Sequence, residues 1–312
     1  MDLFDLHCDT LYACYQTGAR LRDNDLHIDR AAARRYGRYA QIFALFCGAQ
    51  AQATAQGWAA RLAGLLATAQ RELADNADWL TLCRSSAELD EAARAGKAAA
   101  LLSIEGAELL PDRPDALAQV YAAGVRLITI TWNHRNDFGC PAVLDQREGL
   151  TPAGRQLVRD CVAQGILVDV SHLSEQGFWD VCETTDAPFV ASHSAARALC
   201  DHPRGLTDRQ LTALAQRGGL VGVNLYAPFL VQRGRATIDD AIAHIEHLLE
   251  RCGAHGVALG CDFDGCDALP DGIDGLGDLY RLADRMLARG HTDRTVRDLF
   301  YENAAAFIHK ML

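Results

Sequence analysis

The chain has 312 residues, of which 49% are hydrophobic and 23% are charged, and its formal net charge at pH 7 is −11. This composition is typical of a folded globular protein with a large core and excludes an intrinsically disordered chain. The acidic balance argues against the basic surface that nucleic-acid backbones or anionic membranes attract, so we expect neither as a partner.

The eleven cysteines are scattered along the chain without a CxxC pair. This pattern is typical of reduced thiols, not of a disulfide framework or a structural zinc knuckle. The first ten residues, MDLFDLHCDT, are acidic where a secretory signal would be basic and then apolar. No apolar run reaches the length of a transmembrane helix, and the final residues show no anchor signal. We therefore expect a cytoplasmic protein.

Eight short apolar runs, bounded by polar residues or glycine, have the composition of β-strands. Most are continuous apolar runs and do not alternate, which is typical of parallel strands buried on both faces. The predicted strands are Leu3–Asp9, Tyr39–Cys47, Lys97–Glu105, Val125–Thr131, Gly165–Ser171, Ala187–Ser192, Gly219–Leu225 and Gly256–Phe263.

Stretches with helical periodicity separate these strands. Two of them begin with clear start signals, Thr151 before Pro152 and Thr207 before a leucine stripe. The predicted helices are Ala51–Asn76, Pro114–Ala123, Pro152–Gln164, Glu175–Thr184, Thr207–Arg217 and Thr237–Cys252.

The alternation of strands and helices predicts an α/β fold, a single (β/α)8 TIM-type barrel domain over residues 1–312. A doubly wound open sheet is the alternative, but no glycine-rich phosphate loop follows the first strand. No repeat and no low-complexity linker divides the chain, so one domain is the simpler interpretation.

Residues that can bind metal ions occur where predicted strands end. His7 and Asp9 close the first strand, and Glu105 closes the third. His172 and His193 directly follow the fifth and sixth strands. Imidazole and carboxylate groups are common ligands of Zn²⁺, and a glutamate can bridge two ions. The carboxyl ends of barrel strands meet at one rim, so we expect these five side chains to form a metal site there.

Asp262 ends the eighth strand in LGCDFDG, a position where barrel enzymes often carry a catalytic acid or base. The neighbouring Asp264 and Gly265 are interpreted as a turn. His244 and His247 lie three residues apart on a predicted helix, and we interpret them as a solvent-exposed pair without a functional role.

The chain resembles the membrane (renal) dipeptidase family, a group of binuclear-zinc dipeptidases related to the amidohydrolase barrels. The resemblance runs nearly end to end, and the order and spacing of its motifs are specific although each motif is unremarkable alone. The segments that carry it are DLHCDT, SIEGAE, ITITWNHRN, ILVDVSHLS, VASHSAARALCDHPRGL, VGVNLY and LGCDFDG.

The resemblance implies that His7 and Asp9 bind one divalent metal ion, with zinc expected. His172 and His193 would bind a second ion, and Glu105 would bridge the two. The ions would share a hydroxide that attacks the amide bond of a dipeptide. The resemblance also suggests a homodimer.

The resemblance further implies that Asp262 is the acid/base group, which passes a proton to the leaving amine. Arg204, eleven residues after His193, would hold the substrate carboxylate with its bidentate guanidinium group. Relatives often carry a substrate-contacting histidine where this chain has Trp132. Either His134, two residues later, reaches the same point and binds substrate, as we predict, or the contact is missing.

The sequence leaves two alternative functions open. The nearest is a related barrel metallohydrolase that acts on a cyclic amide, a lactone or a β-lactam. The other is a metal-binding protein without catalytic activity, although the presence of Asp262 beside a complete ligand set argues against it.

Overall fold

The computed structural model describes residues 1–48, 55–110, 113 and 115–312. Within these residues the sheet has nine strands, and every pair of neighbouring strands is parallel. The strands are β1 (Leu3–Cys8), β2 (Tyr39–Phe46), β3 (Leu80–Leu82), β4 (Ala98–Glu105), β5 (Val125–Thr129), β6 (Leu167–Asp169), β7 (Val190–Ser194), β8 (Leu220–Val223) and β9 (Val257–Leu259).

Helices surround the sheet, and in the described ranges none has the combined length and apolar character needed to span a membrane. Thr151 and Thr207 cap their helices as predicted, each accepting a backbone hydrogen bond. The helices are α1 (Thr10–Thr17), α2 (Arg30–Ala33), α3 (Ala55–Asp75), α4 (Ser86–Arg94), α5 (Ala116–Ala122), α6 (Pro152–Gln164), α7 (Glu175–Thr184), α8 (Asp208–Gln216), α9 (Ala227–Leu230), α10 (Ile238–Cys252), α11 (Leu279–Ala288), α12 (Asp293–Arg297) and α13 (Asn303–Met311).

The predicted (β/α)8 barrel is confirmed. All strands except β3 follow one another around a ring, and the pairing of β2 with β4 closes it, which excludes the doubly wound open sheet. Each predicted strand overlaps one strand of the ring. Strand β3 was not predicted, because three residues are too few to show a periodic pattern. The predicted start of the helix at residues 51–54 lies outside the described residues.

Strands β6 and β9 end sooner than predicted, three residues before His172 and Asp262. Both residues therefore lie in loops, with φ angles of 67° and 63°. A left-handed backbone at a residue other than glycine costs about 1–3 kcal/mol and is concentrated at functional sites. By contrast, β7 runs further than predicted, so His193 lies inside the strand and not after it.

The barrel interior changes from apolar to polar along the strands. An apolar layer packs against Phe307 and Ile308 of α13. Two residues further along β4, β5 and β6 comes a polar layer formed by Ser103, Thr129 and Asp169. Side chains two apart on a strand share a face, so both layers point inward. The apolar layer includes Leu101, Leu127, Leu167, Val190, Leu220 and Ala258.

The interpretation of His244 as solvent-exposed is wrong, since only 1% of the residue is exposed. Its Nδ1 accepts a hydrogen bond from the backbone N–H of Ala196, and its Nε2 bonds the carbonyl of Leu230. His244 therefore links α10 to α9 and to the loop after β7, and has a structural role. His247 is partly buried and pairs with Asp208.

Candidate active site

The five predicted metal ligands lie together at the carboxyl-terminal rim of the barrel. One carboxylate oxygen of Glu105, Oε2, is 3.6 Å from His7 Nε2. The other, Oε1, is 3.0 Å from His172 Nε2 and 3.5 Å from His193 Nε2. Asp9 Oδ1 is 4.0 Å from His7 Nε2. Glu105 thus directs one oxygen to each side of the group, the geometry that a bridging carboxylate requires.

His172 and His193 direct their Nε2 atoms at each other, 2.8 Å apart. The second ring nitrogen of each is occupied, that of His172 by Asn133 Oδ1 and that of His193 by Ser192 Oγ, both at 2.8 Å. The Asn133 oxygen can only accept a hydrogen bond, so the His172 proton is on Nδ1. The Nε2 of His172 therefore carries a lone pair.

Asp169 fixes the proton position on His193. Its Oδ2 accepts hydrogen bonds from Ser192 Oγ and Thr129 Oγ1, both at 2.6 Å, and its Oδ1 accepts from two backbone N–H groups. Because the Ser192 hydroxyl gives its proton to Asp169, it accepts the Nδ1 proton of His193. The Nε2 atom of His193 therefore also carries a lone pair, and this lone pair faces that of His172 Nε2.

These residues fit bound cations. Burial lowers the pKa of both His172 and His193, so neither imidazole supplies the positive charge that two facing lone pairs need. Both nitrogens of His7, Asp9 Oδ1 and Glu105 Oε2 are buried without a hydrogen-bond partner in the described part of the chain. Buried polar atoms normally have partners, and imidazole and carboxylate are ligands of divalent metals.

The carboxylates crowd each other. Burial raises the pKa of Asp9 and of Glu105 well above its usual range, and the charge of Asp262 raises both further. Burial also lowers the pKa of His7 to about 3, so this imidazole does not neutralise them. Divalent cations would supply the missing positive charge and hold these carboxyl groups ionised.

Asp262 lies at the edge of the ligand group. Its Oδ1 is 3.7 Å from His7 Nε2, and its Oδ2 accepts a hydrogen bond from Asn224 Nδ2 at 3.0 Å. The amide oxygen of Asn224 is in turn bonded to the backbone N–H of Tyr226. Burial raises the pKa of Asp262 to about 6. A carboxyl group with a pKa near neutrality is suited both to accept and to release a proton.

Arg204 is buried beside the ligands, with 3% of its surface exposed. Its Nη2 donates a hydrogen bond to the carbonyl of His193 at 3.1 Å, while its Nε has no hydrogen-bond partner among the described residues. Burial lowers the pKa of Arg204 to about 10, which still leaves it cationic at neutral pH. A buried cation with a free donor is suited to bind an anionic group.

His134 occupies a different position from the ligands. Its Nε2 forms an ion pair with Glu108, and its ring stacks on Trp58 at 5.9 Å between ring centres. The Trp132 ring lies 5.9 Å from that of His134 and 6.2 Å from that of His172. Trp132 therefore lies nearer to the ligands along the loop, and the substrate contact of His134 stays a prediction.

Three supporting residues were not identified from the sequence: Asp169, Asn133 and Asn224. Asp169 interrupts the apolar run GILVDVS, and Asn224 ends the run VGVN, so a polar residue inside or closing an apolar strand was the available signal. Asn133 lies in a polar loop, where no sequence pattern distinguishes it from its neighbours.

The chain is similar in sequence to a family of dipeptidases. The family model described as membrane dipeptidase (peptidase family M19) matches residues 1–310. A Klebsiella pneumoniae protein, described as an uncharacterized protein in the pqqA 5' region, is 38% identical over 248 residues, 76% of this chain and 91% of that protein. An uncharacterized dipeptidase of Schizosaccharomyces pombe is 39% identical over 196 residues, 61% of this chain and 46% of that protein.

The structural likeness is equally broad. A crystal structure of a metallo peptidase from Rhodobacter sphaeroides, liganded with a phosphinate mimic of the dipeptide L-Ala-D-Ala, matches with a TM-score of 0.93 and 28% sequence identity. The match covers 100% of this chain and 99% of that one. Similarity in sequence and in structure therefore extends over essentially the whole chain.

Proposed function

The chain belongs to the membrane dipeptidase family, peptidase family M19, and is a metallo-dipeptidase; we propose that it uses two divalent ions, with zinc expected. The observation that carries the proposal is the Glu105 carboxylate, which directs one oxygen to His7 and the other to the facing Nε2 atoms of His172 and His193. A carboxylate in this position serves two ions better than one.

His7 and Asp9 would hold one ion, His172 and His193 the other, and Glu105 both. When bound, the ions supply activation of a water molecule and polarisation of the scissile carbonyl group. The protein holds the imidazoles ready for this role because Asn133 and the Asp169 network keep protons off the two facing nitrogens.

Asp262 would take the proton of the attacking water and deliver it to the amine that leaves. Its Oδ1 makes no hydrogen bond in the described residues and faces His7, while Asn224 holds its Oδ2. The bond from Asn224 fixes the carboxyl plane, so that the free oxygen stays directed into the site. The raised pKa of Asp262 supports both halves of this proton transfer.

Arg204 would bind the free carboxylate of the substrate. Its unpartnered Nε and its burial support this role, because a desolvated guanidinium binds a carboxylate strongly and with fixed orientation. Arg204 lies beside the ligand group, since its Nη2 bonds the carbonyl of His193 at 3.1 Å. A carboxylate bound there would lie close to the scissile bond, and this would limit the substrate to two residues. The dipeptide-sized ligand of the Rhodobacter sphaeroides protein supports the same limit for this chain.

The proposal is tested by elemental analysis of the purified protein, combined with a library of dipeptides, tripeptides, lactones and β-lactams. We expect two tightly bound metal ions per chain after dialysis and release of free amino acids from dipeptides. One ion per chain would contradict the binuclear site, and faster opening of a ring substrate would favour the related ring hydrolase. A homodimer stays a prediction.

A further inference from the structure

Cys47, Glu108 and His134 form a second group of ligand-type side chains, which we call the rim group. The thiol sulfur, a carboxylate oxygen and a ring nitrogen lie within 4.8 Å of one another. Cys47 follows β2, Glu108 lies in a 3-10 turn after β4, and His134 lies in the loop after β5. We propose that the rim group binds a further divalent cation of the Zn²⁺ type, separate from the ions of the dipeptidase site.

The polar atoms of the rim group are partnered mainly by one another. The Nδ1 atom of His134 is buried and has no hydrogen-bond partner within the described residues. The Nε2 atom of His134 lies against Glu108 Oε1, and the Cys47 thiol makes only a weak contact with the carbonyl of Gly48 at 3.6 Å. The second oxygen of Glu108 accepts a hydrogen bond from Asn136 Nδ2 at 2.7 Å, which keeps Oε1 directed at His134. Such an outer partner commonly orients a metal-binding carboxylate.

Gly106 allows the thiol and the carboxylate to approach each other. Its φ angle is +93°, and a Cβ atom there would lie 2.6 Å from Cys47 Sγ and 3.0 Å from Glu108 Cδ. Any larger residue would separate the two side chains. The backbone N–H of Cys47 also donates to the carbonyl of Glu105 at 2.9 Å, so the rim group adjoins the dipeptidase site without sharing a side chain with it.

Two tryptophans hold the imidazole of His134 in place. The Trp58 ring is parallel to it within 9°, and the Trp132 ring meets it at 65°, both with 5.9 Å between ring centres. An imidazole held on two sides loses little further freedom when it binds a ligand, which favours binding.

The ligand types select the cation. Thiolate and imidazole favour Zn²⁺ and related ions over Mg²⁺ or Ca²⁺, and three protein ligands leave a fourth position for water. Ligand atoms around a tetrahedral zinc ion lie about 3.5 Å apart, so the rim group needs only small side-chain rotations. Cation binding would release the proton of the Cys47 thiol.

A nucleophilic role for Cys47 is less favourable. Burial and the neighbouring carboxylates Glu108 and Glu105 raise the pKa of the Cys47 thiol, and the thiolate is the reactive form. A cation in the rim group would also occupy the His134 imidazole, which would then not be free for the substrate contact predicted from the sequence.

Titration of the metal-free, full-length protein with Co²⁺ tests the proposal. A thiolate ligand gives Co²⁺ an intense near-ultraviolet charge-transfer absorption, and the five ligands of the dipeptidase site include no cysteine. We expect this absorption in the wild-type protein and its loss in Cys47→Ser, with one Co²⁺ fewer per chain in equilibrium dialysis. The absorption does not depend on the dipeptidase site, so failure of the two proposals is distinguishable.

Two further variants complete the test. Cys161→Ser removes a buried thiol of α6 and should leave the absorption unchanged. His134→Phe keeps a ring between the tryptophans but removes the nitrogen ligands, and should weaken the Co²⁺ affinity of this site at least about tenfold. It also decides the question if Cys47→Ser does not fold. No absorption at saturating Co²⁺, absorption that survives Cys47→Ser, or unchanged affinity in His134→Phe would overturn the proposal.

Discussion

The two sides of the dipeptidase site are held in opposite ways. On one side, which we call the His193 half, both His172 and His193 have a hydrogen-bond partner that fixes their protons. The other side, which we call the His7 half, consists of His7 and Asp9. Both ring nitrogens of His7 and the Oδ1 atom of Asp9 are buried and make no hydrogen bond in the described residues. The protein therefore organises one half by its own hydrogen bonds, whereas in the proposed site the other half would depend on a bound cation.

The His7 half owes its position to the backbone. The carbonyl of His7 accepts a hydrogen bond from the N–H of Asp262, and the N–H of Asp9 donates to the carbonyl of Phe263. The ring of His7 also stacks on that of His193, with 3.8 Å between ring centres. We infer that the His193 half keeps its shape without metal, while a bound ion would order the side chains of the His7 half.

The largest effect is expected from Asp262→Asn, which alters chemistry beside the His7 half without removing a predicted ligand. The amide cannot accept a proton, so kcat should fall by about 10²–10⁴-fold while the metal content stays unchanged. Steady-state kinetics and elemental analysis measure the two quantities. The matched control is Asp264→Asn. Asp264 shares the loop after β9 and the left-handed backbone conformation with Asp262, but its carboxylate accepts hydrogen bonds from Thr10 and from the N–H of His27. Near-native turnover in Asp262→Asn would contradict the proton transfer.

Arg204→Ala tests whether the His193 half also positions the substrate. Loss of a charged hydrogen-bonding group should raise KM for dipeptides about 100-fold with a smaller change in kcat. Arg204→Lys keeps the charge without the planar fork and should recover part of this loss. An unchanged KM across a series of dipeptides would exclude the carboxylate contact.

Asp169→Asn tests the organisation of the His193 half directly. Disruption of the network that fixes the His193 proton should weaken metal affinity by about 10–100-fold, measured by competition with a chelator. Asp5→Asn is the control, since Asp5 is also a buried carboxylate but bonds the N–H of Cys261 and the side chain of Gln41. If both variants lost metal equally, a general effect of burying an amide would explain the result, and the proposed asymmetry would be wrong.

The smallest effect is expected from Asn133→Ala. Asn133 is partly exposed, so water can replace its oxygen at Nδ1 of His172 and preserve the proton position. We expect metal affinity to fall by less than about tenfold. Chelator competition on both variants measures the two affinities. If Asn133→Ala lost as much metal affinity as Asp169→Asn, both histidines would depend equally on their protein partners.

Sequence patterns located the candidate ligands because each stands where an apolar run ends, which is a local property. They did not show that His172 and Asp262 lie in loops with a left-handed backbone conformation, because the predicted strands extended beyond the observed ends of β6 and β9. They also misplaced His244, because a three-residue spacing on a helix does not reveal which neighbours pack against it. Asp169 was visible as a carboxylate in an apolar run, but the side chains that bond it, Thr129 and Ser192, come from two other strands, β5 and β7.

The sequence by itself determined the barrel and the rim at which its functional residues gather. The order of apolar runs and helices is encoded locally, and the carboxyl ends of parallel strands necessarily meet at one edge. Only the tertiary structure decided that the lone pairs of His172 and His193 face each other and that Cys47 meets Glu108 and His134. These arrangements depend on side chains far apart in the chain, whose distances are set by packing and strand register and by no local pattern.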